Sequence, residues 1–338
     1  MSSRDDALIR CELCPKECTL GPWQRGDCRV RISDGRKLVT LVYGKPCAVH
    51  VDPIEKKPMF HFLPGSGSFS IATAGCNLHC KYCQNWDISQ SNAEDTSNAD
   101  VPPEKAVALA RRYDCASIAY TYSEPIVFYE YVHDTAALAK SRGIKNIMVT
   151  AGFINEKPLR QLCKVIDGAN VDLKGFTEDF YRDVCSGRLD VVLRTLEVMA
   201  EEGVMTEITN LIVPTLNDDP EMIRRMCRWI AEALGPDVPM HFSRFHPMYH
   251  LKGLHPTPPD TLRGAAAIAL DEGLRYVYVG NLPGTEWENT TCPGCREVLI
   301  RRRGYRVLEL NMDDGHCKFC GETIRGVWSI RRSESEVP

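Results

Sequence analysis

Residues 69–86 read FSIATAGCNLHCKYCQNW and place a short apolar strand directly before three cysteines. Cys76, Cys80 and Cys83 are spaced C-x3-C-x2-C, and the aromatic residue Tyr82 precedes the third. Three thiolates on one short loop can hold three irons of a [4Fe–4S] cluster, which is otherwise held by four cysteines. The fourth iron then lacks a protein ligand, and an open position is how a metal centre binds a reacting molecule. The motif therefore predicts a catalytic cluster at Cys76, Cys80 and Cys83.

The spacing of the three cysteines leaves two other interpretations of this motif open. A distant cysteine would complete an ordinary electron-transfer cluster. A zinc site more often uses paired C-x2-C units.

The middle of the chain, residues 66–288, alternates short apolar strands with amphipathic helices. The predicted strands are FSIATAG (69–75), SIAYTYSE (117–124), NIMVTAG (146–152), NVDLKG (170–175), EITNLIVP (207–214), MHFSRFHP (240–247) and YVYVGNLPG (276–284). The predicted helices are PPEKAVALARRY (102–113), VFYEYVHDTAALAKSRG (127–143), DVVLRTLEVMAEEG (190–203), PEMIRRMCRWIAEALG (220–235) and PDTLRGAAAIALDEGL (259–274). Repeated βα units suit either a barrel or a doubly wound sheet. Polar residues crowd the strand ends, which favours a full or partial (β/α) barrel of the TIM type, with its active site at that edge.

Composition narrows the functional class and the location. The 338 residues are 43% hydrophobic and 25% charged, with a net charge of −4, which does not suggest a nucleic-acid or membrane binder. No apolar run is long enough for a transmembrane helix, and the first residues do not resemble a signal peptide. Of the sixteen cysteines, eleven fall in three tight clusters. Such clusters indicate metal sites rather than disulfides, which predicts a reducing, cytoplasmic location.

The C-terminal region, residues 289–338, carries two C-x2-C pairs: Cys292 with Cys295, and Cys317 with Cys320. The spacing is close to that of a zinc ribbon and predicts Zn²⁺, with a rubredoxin-type iron site as the rival. The run Arg301–Arg303 lies between the pairs and is predicted to be a solvated turn. Binding of an acidic partner or nucleic acid is its alternative.

The N-terminal region, residues 1–65, carries a third cluster. Cys11, Cys14, Cys18 and Cys28 suffice for a closed four-thiolate site. Zinc and a second [4Fe–4S] cluster both fit, and spacing does not separate them. A second cluster would offer a route for electron entry.

The motifs together resemble a known family. C-x3-C-x-aromatic-C after the first strand of a βα barrel resembles the radical S-adenosylmethionine (SAM) superfamily. DLK (172–174) resembles the fourth-strand motif of glycyl-radical activating enzymes such as the pyruvate formate-lyase activating enzymes. Nearly the whole chain resembles the AmmeMemoRadiSam-system radical SAM enzyme, through DPIEKKPMFHFLPG (52–65), YTYSEP (120–125), VDLKGF (171–176), YVYVGN (276–281) and the terminal CPGC and CKFC pairs.

This resemblance implies roles for individual residues. Tyr82 would lie by the adenine of SAM, and Glu124 would accept a hydrogen bond from its ammonium group. Asp172 and Lys174 would lie near its carboxylate and ribose. On the fifth strand, Thr209 stands where the activase pattern has an arginine, so Thr209 and Asn210 are candidates there, and Asn210 is assigned to SAM. His246, in FHP, matches an activase histidine close to SAM. The stretch HVDPIEKKPMFHF (50–62) either borders the substrate cavity or forms a charged surface turn.

The implied reaction is reductive. SAM is cleaved at the cluster to a 5′-deoxyadenosyl radical, which abstracts hydrogen from a protein or small-molecule substrate. A glycyl-radical activase-like reaction is one form, and modification of another substrate, alongside Memo-like or AMMECR-like proteins, is the other. The implied partners are a reductant protein of ferredoxin or flavodoxin type and a substrate protein. The rival class is a non-catalytic iron–sulfur electron carrier or zinc-ribbon interaction protein. Nucleic acid is not an expected partner, because its binders usually have a strongly basic surface.

Overall fold

The computed structural model of the chain describes residues 8–282 and 284–329. Its strands are β1 (Ile9–Arg10), β2 (Thr19–Leu20), β3 (Arg31–Ser33), β4 (Leu38–Thr40), β5 (Ala48–Pro53), β6 (Gly67–Ala72), β7 (Ser117–Tyr120), β8 (Lys145–Thr150), β9 (Gly168–Asp172), β10 (Met205–Ile212), β11 (Met240–Arg244), β12 (Val277–Gly280), β13 (Thr290–Thr291), β14 (Val298–Arg303), β15 (Arg306–Leu310), β16 (Met312–Asp313) and β17 (His316–Cys317). Its α-helices are α1 (Trp86–Ser89), α2 (Pro103–Arg112), α3 (Tyr129–Ser141), α4 (Glu156–Cys163), α5 (Glu178–Phe180), α6 (Leu189–Glu201), α7 (Pro220–Ala233) and α8 (Pro259–Asp271). Short 3-10 helices lie at Ile54–Lys56, Ala93–Asp95, Pro125–Phe128 and Glu286–Glu288, and a π-helical turn lies at Tyr181–Cys185.

The centre of the fold is a parallel sheet with its strands in chain order. Among the described residues, eight strands form this sheet in the order β12-β11-β10-β9-β8-β7-β6-β5. Strands β6 to β12 pair in parallel, and β5 pairs antiparallel to β6. The order never reverses, as it would in a doubly wound sheet. No pairing joins the two edges of the described sheet, so the fold is a partial (β/α) barrel, which confirms the predicted class.

All seven predicted strands are present in this sheet, whereas strand β5 and helix α4 are among the elements that were not predicted. Strand β5 lies inside the region predicted as an N-terminal extension, yet it adds to the barrel sheet. Helix α4 was missed because it is short and carries Pro158 in its first turn. The domain boundaries at residues 65/66 and 288/289 stay predictions. Within the described residues, every helix is too short or too polar to cross a membrane.

The C-terminal residues pack on the barrel through a buried charge. Arg302 on β14 is 5% exposed, and its Nη2 donates a 2.8 Å hydrogen bond to the carbonyl of Phe60. Its Nε lies 3.7 Å from Oε1 of Glu55, which is 1% exposed. The prediction of a solvated turn at Arg301–Arg303 is therefore wrong for Arg302. The alternation of a strand puts its side chain inward, whereas neighbouring Arg301 pairs with Glu309 on the outer face.

A chain of hydrogen bonds continues from Arg302 into the barrel. Arg302 Nη1 donates to Thr290 Oγ1 at 2.8 Å, and the Thr290 and Tyr278 hydroxyls lie 2.9 Å apart. Tyr278 is 2.7 Å from Nε2 of His61, whose Nδ1 lies 2.8 Å from the carbonyl of Arg325. Burial lowers the pKa of His61 to about 4. Because a carbonyl only accepts, neutral His61 donates from Nδ1 and accepts from Tyr278 at Nε2.

We predict that Arg302→Ala lowers the free energy of unfolding by about 3–5 kcal/mol, because Glu55 is left buried without its counter-charge. Adding Glu55→Gln to that variant should recover part of the loss. Arg301→Ala is the matched control on the same strand, and loss of its exposed ion pair should cost at most about 1 kcal/mol. Urea unfolding of the anaerobically prepared protein measures all three. Equal losses in Arg301→Ala and Arg302→Ala would contradict the prediction.

Candidate active site

A large cavity opens where the parallel strands end. Its volume is about 1070 Å³, and its lining runs from the loop after β6 round to the loop after β12. The carboxyl ends of parallel strands meet at one edge of a barrel, so residues distant in sequence converge there. Seven of the residues assigned from the sequence line this cavity: Cys76, Cys80, Tyr82, Cys83, Glu124, Asp172 and Lys174.

The three cysteines approach the cavity from one loop. Residues 73–85 contain no helix or strand, and Cys76, Cys80 and Cys83 all face the same space. The N–H of Leu78 donates to Cys76 Sγ at 3.4 Å, and the Ser89 hydroxyl lies 3.3 Å from Cys83 Sγ. In the described part of the chain no further cysteine lines this cavity. The arrangement fits a cluster with three protein thiolates and one open iron.

The π-helical turn after α5 holds this loop in place. The N–H groups of His79 and Lys81 donate to the carbonyls of Cys185 and Val184 at 2.9 and 3.0 Å. Cys185 is fully buried, and its Sγ lies 3.6 Å from the Tyr82 hydroxyl. Sequence reasoning left Cys185 unassigned, because its contact with the loop depends on a π-helical turn that hydrophobic periodicity does not predict.

Glu124 is a buried carboxylate with several donors. It is 3% exposed, and it accepts from the Thr150 hydroxyl at 2.6 Å and from the Ala151 N–H at 2.8 Å. A third bond comes from the N–H of Ile126 at 3.2 Å. Burial raises the pKa of Glu124, and these donors oppose that effect. An ionised carboxylate has about four acceptor positions, so one remains free for a ligand in the cavity.

Asp172 and Lys174 form an ion pair at the end of β9. Lys174 Nζ lies 3.0 Å from Asp172 Oδ2, and both side chains line the cavity. Thr209 on the adjacent strand also lines it, and its buried hydroxyl has no hydrogen-bond partner. A buried hydroxyl without a partner is costly, so Thr209 is suited to contact a ligand.

Two of the assigned residues are not brought to the cavity. Asn210 is buried on the other face of β10, where its Nδ2 donates to the Leu173 carbonyl at 2.7 Å. Thr209 and Leu211 line the cavity instead, because successive side chains alternate between faces. His246 is exposed, and its neighbour Phe245 is the side chain that enters the core. The structure therefore gives no support to a role of Asn210 or His246 beside a ligand in this cavity.

The opposite wall comes from the segment after β5. Glu55, Lys56 and Lys57 line it, so this part of the stretch 50–62 borders the cavity. Lys56 and Lys57 place their Nζ atoms 2.8 and 2.6 Å from the two oxygens of Asp52, and the Tyr122 hydroxyl also donates to Asp52. Burial lowers the pKa of Lys57 to about 8. Two ammonium groups share the Asp52 carboxylate, and the Glu55 carboxylate is paired with Arg302, so this wall carries a net positive charge.

The C-terminal tip of the β14–β15 hairpin completes the cavity. Arg303, Gly304 and Tyr305 line it together with His241 on β11. His241 Nε2 lies 2.7 Å from Oε2 of buried Glu207, which also accepts from the backbone N–H groups of Phe60 and His61. The sequence placed His241 at a strand end without a role, and nothing in it showed that a C-terminal hairpin would reach the same cavity.

The four C-terminal cysteines form a compact group. Their sulfur atoms all lie within 4.8 Å of one another. Cys292 Sγ is 3.6 Å from Cys320 Sγ, and Cys295 Sγ is 3.7 Å from Cys317 Sγ. A tetrahedral ion with metal–sulfur bonds of about 2.3 Å places its ligands about 3.8 Å apart, so the group fits one such ion.

We predict that Cys317→Ala loses about one metal ion per chain, because three thiolates hold an ion far less tightly than four. Metal analysis by plasma mass spectrometry measures this in protein purified without added metal. Cys163→Ala is the matched control, since Cys163 is a buried cysteine of α4 outside all three clusters. Equal metal contents in the two variants would refute a metal site at these four cysteines.

Comparisons with known proteins agree with this geometry. Residues 70–230 match the family model described as the radical SAM superfamily. An uncharacterized protein of Methanocaldococcus jannaschii is 43% identical over 95% of this chain and 96% of its own length. A pyruvate formate-lyase-activating enzyme of Clostridium pasteurianum is 27% identical over 46% of this chain and 66% of its own. The crystal structure of Streptococcus suis SuiB bound to its precursor peptide SuiA covers 69% of this chain and 52% of its own, with a TM-score of 0.50 and 15% identity.

Proposed function

Because the chain belongs to the radical SAM superfamily and is therefore an enzyme, we propose that it cleaves SAM reductively at a [4Fe–4S] cluster held by Cys76, Cys80 and Cys83. The observation that carries the proposal is the convergence of these three thiolates on a cavity that no other cysteine of the described chain lines. The bound cluster and SAM supply a 5′-deoxyadenosyl radical, which abstracts hydrogen from a substrate in the same cavity.

The residues around the cluster loop are proposed to hold SAM. Tyr82 lies in the loop and offers a ring for the adenine, and Glu124 offers its remaining acceptor position to the ammonium group. Lys174 is suited to the carboxylate of SAM, and Asp172 to the ribose hydroxyls. On β10 the unpartnered hydroxyl of Thr209 is a better candidate than Asn210, since only Thr209 lines the cavity.

The substrate is proposed to lie on the other side of the cavity, against Lys56, Lys57 and the hairpin tip at Arg303–Tyr305. An activase-like reaction, with hydrogen taken from a glycine of a partner protein, is supported by the similarity to the activating enzyme of Clostridium pasteurianum. The positive wall supports an anionic substrate group instead, whether on a protein or on a small molecule. Enclosing either substrate in this cavity would keep water from the radical.

The remaining assignments from the sequence belong to the same proposal. The sulfur spacing at the C-terminal cysteines supports Zn²⁺ there. One electron per cleavage has to come from outside, which calls for a reductant of ferredoxin or flavodoxin type. A cytoplasmic location rests on the cysteine clusters, whereas the AmmeMemoRadiSam system and Memo-like or AMMECR-like partners rest on the resemblance of the motifs.

We predict that the protein, reconstituted anaerobically with iron and sulfide, forms 5′-deoxyadenosine and methionine from SAM when dithionite is added. Mass spectrometry of the products measures this. Cys80→Ala should abolish the product because one ligand of the cluster is lost, whereas Cys163→Ala, which leaves every cysteine cluster intact, should retain it. A fully loaded wild-type cluster that neither binds nor cleaves SAM would overturn the proposal and favour an electron carrier.

A further inference from the structure

We propose that Cys11, Cys14, Cys18 and Cys28 hold a second [4Fe–4S] cluster, not zinc, and that this cluster passes electrons to the catalytic one. The four side chains line a single cavity beside the loop that carries Cys76, Cys80 and Cys83. The iron assignment rests on geometry alone, whereas the electron transfer rests on the proposed function.

The two four-cysteine sites of this chain differ in size. The C-terminal sulfurs lie within 4.8 Å of one another, as a single tetrahedral ion requires. Among the described residues, no three of the N-terminal cysteines form such a compact group. The cavity they line has a volume of about 20 Å³, more than the roughly 10–15 Å³ that a single water needs. Four thiolates around one zinc ion leave no such space, whereas those around a cube stand further apart at its corners.

One residue that lines this cavity, Arg31, carries a buried donor without a partner. Arg31 is 6% exposed and lines it, and its Nε has no hydrogen-bond partner although Glu130 accepts from both terminal nitrogens at 2.8 and 2.7 Å. A buried donor is costly unless something accepts from it. The sulfides of a cube are acceptors, and hydrogen bonds to them tune a cluster's reduction potential. The N–H of Asp27 already donates to Cys18 Sγ at 3.4 Å.

The N-terminal site is in direct contact with the catalytic loop. Asn77, which follows Cys76 in the chain, lines the same cavity as Cys14. Gly75 has φ +93°, and a Cβ at that position would lie 2.5 Å from the carbonyl oxygen of Cys28. Only glycine permits so close an approach of the two backbones. The N-terminal cysteines therefore meet the catalytic loop at Gly75 and Asn77, the two residues that flank Cys76.

This arrangement supports a one-electron relay. A reductant protein of ferredoxin or flavodoxin type would give one electron to the N-terminal cluster, which would be reduced from the 2+ to the 1+ state. That cluster would then return to 2+ by passing the electron to the catalytic cluster, and no bond would form or break in either transfer. SAM cleavage consumes the electron, so the relay turns over once for each SAM cleaved.

The first test counts iron without using activity. The variant Cys76→Ala/Cys80→Ala/Cys83→Ala is reconstituted anaerobically. Its contents of iron, acid-labile sulfide and zinc are measured, and Mössbauer spectra identify the type of iron centre. We expect about four irons and four sulfides as one cube.

The complementary variant Cys11→Ser/Cys14→Ser should also keep about four irons, whose signal should respond to SAM. Retention of the C-terminal metal shows that each variant is folded. A folded triple variant without cluster iron overturns the proposal, whether or not a second zinc takes its place.

The second test concerns the relay. The rate of 5′-deoxyadenosine formation is measured with a reduced ferredoxin or flavodoxin and with dithionite, which is small enough to reach the catalytic cluster directly. In Cys11→Ser/Cys14→Ser the ratio of the two rates should fall at least about tenfold, and in Cys163→Ala it should not change. An unchanged ratio overturns the relay. If the fully loaded wild type neither binds nor cleaves SAM, the proposed function fails, while the iron count still decides the identity of the N-terminal site.

Discussion

The catalytic loop has no regular secondary structure, so its shape depends on hydrogen bonds from other parts of the chain. The π-helical turn supplies acceptors for the N–H groups of His79 and Lys81, and the Phe153 carbonyl accepts from the Asn77 side chain at 2.8 Å. Gln90 donates to the Leu78 carbonyl at 3.1 Å from the other side. Three thiolates would otherwise repel one another on a flexible loop. Holding the backbone from outside orients them before any metal arrives, which is the general requirement for a preorganised site.

The same loop explains why the terminal regions pack where they do. The N-terminal cysteines lie against its first residues through Gly75 and Asn77. The C-terminal residues reach the opposite wall of the cavity through the β14–β15 hairpin, which Arg302 fastens to the barrel. The ion pair with Glu55 is fully desolvated, so it favours one docked arrangement over many similar ones. A region with four clustered cysteines thus packs beside the same cavity at each end of the chain.

The sequence predicted the features that repeat locally and missed those that depend on tertiary contacts. The apolar strands, the polar residues at their ends and the cysteine spacings are local patterns, and they placed Glu124, Asp172 and Lys174 correctly at the cavity. Strand β5 alternates Val49 and Val51 with His50 and Asp52, but Asp52 is buried and Val51 is exposed, so its burial does not follow its hydrophobic pattern. Its pairing with β6 is what makes it a strand. Arg302 was expected in solvent because arginine is rarely buried without a partner, and its partner Glu55 is 247 positions away in the chain.

Register within a strand separates the assigned residues that line the cavity from those that do not. On β10 side chains alternate between faces, so Thr209 and Leu211 line the cavity and Asn210 lies on the opposite face. The position of the motif in the sequence alone did not show which of these side chains would line the cavity. On β11 the same period brings His241 and Ser243 to the cavity, and the strand has ended before His246. Spacing is limited in a similar way at the cysteine clusters. It tells which thiolates act together, whereas their distances in the folded chain separate the compact C-terminal group from the wider N-terminal one. Those distances follow from how each four-cysteine region packs on the barrel. The N-terminal region packs directly on the loop that carries Cys76, Cys80 and Cys83, and it is proposed to pass electrons to the cluster held there.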